Sequence, residues 1–151
     1  MTWSPCANPS GRRTGCRHEV KYALDTSVLV RILSNRPQPL AGEVIRLVAA
    51  RIGGGDTMAV SNLVLSEAYY AMQHHYGVDK ETVLKALRII SLQPGFEFSP
   101  EAQEALAVEN LAHANPGFVD RLICGEQERR GIKVLSCEKS FRRLPNAETI
   151  P

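Results

Sequence analysis

The sequence predicts an α/β fold built on a mostly parallel sheet flanked by helices. Three observations lead there. Short apolar, β-prone runs alternate with longer runs of helical spacing. Capping residues stand between strand and helix, as at Asp25, at Ser61 or Asn62, and at Ser99. A chain of 151 residues with 44% hydrophobic residues suits one substantial core. Such alternation favours parallel strands joined by crossover helices, whose free faces must be covered by further helices.

Residues 1–19 carry Pro5, Pro9, Gly11 and Gly15 and no strand or helix periodicity, so they are expected to be a disordered basic tail. The net charge of +2 is unevenly placed, with +3 on residues 1–21 and −1 on the remainder. The body is therefore not a strongly basic nucleic-acid binder on charge alone, and any RNA contact must come from local patches. No apolar run is long enough to span a bilayer, and the first twenty residues lack the apolar core of a signal peptide. A cytoplasmic protein without membrane contact is expected. Cys6, Cys16, Cys124 and Cys137 form no paired metal motif, and the last two are expected to be small buried side chains.

The folded domain should occupy residues 20–151. A strand is expected over Val20–Leu24 and a helix over Thr26–Leu33, followed by the breaker-rich loop Asn35–Pro39. Leu40–Ile52 has helical spacing and runs into Gly53-Gly54-Gly55. Thr57–Val60 reads as a second strand, and Asn62 to about Tyr76 as a helix stopped by Gly77. Asp79 caps a helix through Ile90, and Phe96–Phe98 is a brief strand. Ser99-Pro100 opens a helix expected to reach Leu111. Phe118–Arg130 is helical, Ile132–Leu135 is a buried strand, Phe141 and Leu144 belong to a helical turn, and Glu148–Ile150 is a last strand.

Four acids stand where such a sheet would meet a ligand. Asp25 and Glu138 each follow a strand, and open parallel sheets bind ligands outside the carboxyl ends of their strands. Both are expected at one sheet edge. Glu67 lies in the apolar helical run Leu63–Ala68, and Asp120 in the first turn of Phe118–Arg130. Acids among apolar neighbours are costly unless paired, solvated or bound to metal. Each also has a plain structural role open to it. Asp25 suits a helix cap, Glu67 a surface pair, Asp120 the helix dipole and Glu138 a solvated loop. His74, His75 and His113 read as surface residues rather than catalytic ones.

The segments Tyr22–Val30, Val60–Glu67, Gly117–Ile123 and Gly131–Phe141, in this order and spacing, resemble the PIN-domain family and within it the VapC-type toxins. The resemblance spans about residues 20–150. It implies a three-layer PIN-like fold and a Mg²⁺- or Mn²⁺-dependent endoribonuclease. It further implies a hydrolase acting on RNA as the toxin of a bacterial type II toxin–antitoxin pair, with a cognate antitoxin as partner and often a homodimer. It assigns Asp25, Glu67 and Asp120 as metal ligands and catalytic residues. Glu138 joins them as a peripheral ligand or orienter, because Ser136-Cys137-Glu138 stands where the family usually has Thr-x-Asp. Hard divalent cations take oxygen ligands, and a bound cation would activate water and stabilise charge on phosphate. Thr26 and Ser136 are candidate orienters of a carboxylate or water, and Arg36, Arg121, Arg142 and Arg143 are candidate RNA contacts. Two other readings stand beside this one. In one, Glu138 in place of Asp marks a catalytically weak PIN-like domain that acts as an RNA- or protein-binding regulatory module. In the other, Leu24-Asp25-Thr26-Ser27 loosely resembles the first motif of aspartate-nucleophile phosphatases, but Ser27 stands where that chemistry wants a second Asp.

Overall fold

The computed structural model describes residues 19–151, so all of the expected tail except Glu19 lies outside the described residues. The chain runs β1 (Lys21–Ala23), α1 (Thr26–Ser34), α2 (Leu40–Gly53), β2 (Thr57–Val60), α3 (Asn62–His74), α4 (Lys80–Ser91) and β3 (Phe96–Phe98). It continues through α5 (Pro100–Leu106), a 3₁₀ turn (Leu111–His113), α6 (Phe118–Arg129), β4 (Val134–Ser136), a second 3₁₀ turn (Lys139–Arg143) and β5 (Ala147–Thr149). This is the three-layer α/β fold expected, with every strand pair parallel.

Register decides what the fold can present. β1 pairs with β2 and β2 with β3, placing Ala23 opposite Ala59 and Val60 opposite Phe98. The carboxyl ends of the three strands therefore align. The helices that follow them start at one common edge, capped by Asp25, Ser61 and Ser99. Each cap accepts the backbone N–H three residues on, which satisfies a donor that the first turn leaves free.

One large core holds this half. Leu29, Leu65, Leu87 and Ala102 are fully buried, and Phe118, Leu122 and Val83 nearly so. Helix α6 closes on α5 through Gly125, where a Cβ would fall 2.6 Å from the Cβ of Glu101. Only a glycine allows that approach without displacement.

β4 and β5 form a separate two-stranded sheet. The expectation that Asp25 and Glu138 share one sheet edge is therefore corrected. A second correction concerns the strand expected over Ile132–Leu135. Gly131 turns with φ +70° and the Ile132 N–H donates to the Gln127 carbonyl at 2.9 Å, so Ile132 finishes the helix instead of starting the strand. Ile132 and Leu135 are exposed, because a two-stranded sheet has few neighbours to cover them. The buried cluster here is small: Cys124, Phe141 and Leu144. Cys124 is buried as expected, whereas Cys137 is exposed. Asn146 ties β4 and β5 to α6, donating to the carbonyls of Cys124 at 2.8 Å and Ile132 at 3.3 Å.

Candidate active site

At the common edge, Asp25 is both a cap and an exposed carboxylate. Its Oδ1 accepts the Val28 N–H at 3.0 Å and the Ser27 hydroxyl at 2.8 Å. Those two donors, with the Arg31 guanidinium further off, hold its carboxyl below the ordinary value of 3.8. The residue is exposed, and among the described residues its Oδ2 accepts no hydrogen bond.

The Thr26 hydroxyl donates to Glu67 Oε2. That contact brings the α3 carboxylate to the first residue of α1, next to Asp25 in the chain. Glu67 is exposed, so hydration and Thr26 offset the cost of placing an acid in an apolar run. Asp120 is half-buried in the first turn of α6, where its Oδ2 accepts the Gly117 N–H at 3.1 Å. A carboxylate there also complements the helix N-terminus. The Asp120 charge also acts on Tyr69 of α3. Burial raises the Tyr69 hydroxyl above its ordinary value of 10.0, and the Asp120 charge adds to that rise.

Glu138 follows the other sheet. It is exposed, belongs to the two-stranded sheet's loop, and its backbone N–H donates to Ser136 Oγ at 3.0 Å. Among the described residues, no group of three or more His, Cys, Asp or Glu is gathered closely enough to hold a metal ion. The donors are nonetheless of the right kind for a hard divalent cation. Such an ion as Mg²⁺ is commonly held by one or two carboxylates, with waters and substrate phosphates completing its shell. Asp25 and Glu67 are carboxylates of that type, and the Thr26–Glu67 hydrogen bond links the helices that carry them.

Of the four arginines named from the sequence, Arg121 and Arg143 meet on the loop Asn115–Pro116, whereas Arg36 and Arg142 are engaged elsewhere. Arg36 is exposed beside Ser34, and Arg121 Nε donates to the Pro116 carbonyl at 3.0 Å. Arg142 Nε donates to Thr149 Oγ1 and Arg143 Nη1 to the Asn115 carbonyl, both at 2.7 Å. These last two fasten the C-terminal turn.

Two features escape the sequence reading. The first is a polar knot at the ends of β2 and β3. Asn62 donates to Glu101 Oε1 at 2.7 Å and to Glu126 Oε2 at 3.1 Å, and accepts the Ser99 hydroxyl at 2.7 Å. Arg129 Nε meets Glu101 Oε2 at 3.0 Å. Burial pushes the Glu101 carboxyl up, but its hydrogen bond from Asn62 and the Arg129 charge help to outweigh that and hold it below 4.5. The knot joins α3, α5 and α6, and so fixes the helices that carry Glu67 and Asp120. Spacing along the chain gives no sign of it, since Asn62 and Glu126 are 64 positions apart. The second is Arg31, one turn after Ser27 on α1, with Nη1 donating to the Ser27 carbonyl at 2.8 Å. The i, i+4 relation to Ser27 was the available signal.

Residues 22–147 match the family model described as PIN domain. No curated protein sequence matches the chain. Among solved structures, it is similar to one of VapBC2 from Rickettsia felis bound to a DNA fragment from their promoter. The identity is 20%, with 86% of this chain and 98% of that chain covered, at a TM-score of 0.35.

Proposed function

This chain belongs to the PIN-domain family, and from that premise we propose that it is a metal-dependent endoribonuclease hydrolysing RNA phosphodiester bonds. We further assign it the role of a VapC-type toxin in a bacterial type II toxin–antitoxin pair, acting in the cytoplasm with a cognate antitoxin as partner. A homodimer belongs to the same reading. The observation that carries the catalytic reading is the exposed Asp25 carboxylate, one oxygen pinned by Val28 and Ser27 and the other accepting no hydrogen bond among the described residues, with Glu67 drawn to the adjoining residue by Thr26.

Asp25 and Glu67 would hold Mg²⁺ or Mn²⁺, with Asp120 completing the acidic set and Glu138 at its periphery. When bound, the ion supplies charge neutralisation at phosphate and a lowered pKa for a coordinated water. The residues themselves orient. Ser27 and Val28 fix the direction of the Asp25 carboxylate, Thr26 fixes that of Glu67, and three helix N-termini at one edge favour an anionic backbone. Induced expression of parent and Asp25→Asn, followed by sequencing of RNA ends, tests this. New ends are expected with the parent alone, and equal ends with both would overturn the assignment. For the partner, growth should be inhibited only when the chain is expressed without its antitoxin.

A second reading is favoured by the position of Glu138 on a different sheet from Asp25. In it the chain is a catalytically weak module that binds RNA or protein. Glu138→Asp separates the two: a large gain in cleavage supports the impaired site, and an unchanged rate supports the active enzyme.

A further inference from the structure

Beside Glu67, helices α1 and α3 enclose an open groove of about 810 Å³. Its floor is the apolar pair Val30 and Ala71, and its wall carries Arg31, Glu67, Tyr70 and His74. Residues 67, 70, 71 and 74 share one face of α3 by helical spacing, so the acid and the two rings line up along the groove.

The rings are arranged for stacking. Tyr70 and His74 lie nearly parallel, 18° between planes and 6.2 Å between centroids. Tyr70 is 47% exposed, unusually open for a ring so well braced. Tyr69 meets it edge-on at 5.2 Å, and Phe118 meets Tyr69 edge-on at 5.4 Å. Tyr69 and Phe118 are buried, so the exposed ring is anchored through them to α6. Arg31 adds the cation. Its guanidinium is held over the first turn of α1 by the Ser27 carbonyl, and its other N–H groups make no hydrogen bond among the described residues.

We propose that this groove is a subsite for single-stranded RNA, in which a base stacks on the Tyr70–His74 platform and Arg31 contacts a neighbouring phosphate. The inference rests on the ribonuclease reading and names where that site holds its substrate. Flat ring faces accept any unpaired base, whereas bases within a duplex are already stacked on one another. A phosphate at Arg31 would leave the chain passing Glu67 and Asp25. Base–aromatic stacking is sequence-tolerant, so the subsite supplies affinity rather than a cleavage sequence.

The test is anisotropy of a fluorescein-labelled single-stranded oligoribonucleotide, titrated in EDTA with parent, Tyr70→Ala, Tyr70→Phe and Arg31→Ala. Tyr70→Ala should weaken binding about tenfold or more, as loss of one stacked base does, while Tyr70→Phe stays within about twofold of the parent because the ring remains. Arg31→Ala should weaken binding and flatten its salt dependence. An abasic oligomer should bind parent and Tyr70→Ala alike. Equal binding of the RNA by parent and Tyr70→Ala overturns the subsite. If Asp25→Asn still abolishes cleavage in that case, the nuclease stands and the groove is left to a protein segment. A parent that neither binds nor cuts RNA removes both readings.

Discussion

Two strands of this molecule end in a carboxylate, and they are held very differently. After β1, Asp25 rides on a helix seated over the main core, and its Oδ1 has two short-range donors. After β4, Glu138 rides on a 3₁₀ turn over a cluster of three buried residues, and among the described residues its carboxylate accepts no hydrogen bond. An acid does not gain a fixed direction merely by following a strand. It gains one when the helix behind it is long enough to be packed and to offer N–H groups of its own. The same contrast separates Asp120, half-buried at the start of a twelve-residue helix, from Ser136, whose hydroxyl serves only the next turn.

The largest expected effect is on catalysis. Asp25→Asn should remove RNA cleavage by more than about a hundredfold, beyond what loss of an outer-shell partner costs a metal site. Glu138→Gln should lower it by less than about tenfold, the bottom of that outer-shell range. Comparable losses for both, measured as initial cleavage rates, would break the contrast between the two strand ends.

Stability should follow the same division. Leu87→Ala, at a fully buried position of the main core, should cost about 2–5 kcal/mol by urea denaturation. Leu144→Ala, at the edge of the small cluster, should cost no more than about 2 kcal/mol, since its surroundings can relax into the gap. A larger loss at Leu144 would mean that the C-terminal sheet carries more of the fold than its burial indicates. The α5–α6 contact lies within the main-core half, and Gly125→Ala would drive a methyl group into the Glu101 stem. A loss of about 1–3 kcal/mol is expected there, and an unchanged urea midpoint would show that the helices can separate freely.

The smallest effect is in pH. The Asp25 pKa is depressed in the folded chain, so its contribution to stability is present above 3.8 and is lost as pH falls through the depressed value. The group is exposed, so that contribution is no more than about 1 kcal/mol. Asparagine also caps helices but does not titrate. Thermal melts of parent and Asp25→Asn should therefore differ most near neutrality and converge toward pH 3. A gap that widens on acidification would place the Asp25 carboxylate against a different partner.

Much of the fold was legible because its signals are local. Asp25, Asp79 and Ser99 cap helices where the sequence places caps, Ser61 is the cap where the sequence offers Ser61 or Asn62, and Thr57–Val60 and Phe96–Phe98 are strands with the expected bounds. The errors fall where a backbone turn or a missing neighbour decides. Helix α5 stops at Leu106 instead of reaching Leu111, because Asn110 adopts φ +52° and starts a separate 3₁₀ turn. The apolar run Ile132–Leu135 looks buried by composition, yet burial requires a layer to lie against it.

For the site, residue types and their order along the chain named Asp25, Glu67, Asp120 and Glu138 as candidates, since periodicity and capping fix which side of a helix or which end of a strand a residue occupies. What only the tertiary structure decided is which candidates meet. Strand register aligned the ends of β1, β2 and β3. The packing of α1 on α3 brought Thr26 to Glu67 and opened the groove beside Tyr70, and the strands divided into two sheets, with Asp25 following one and Glu138 the other. Those outcomes depend on contacts between residues tens of positions apart, and a linear pattern carries no record of such distances.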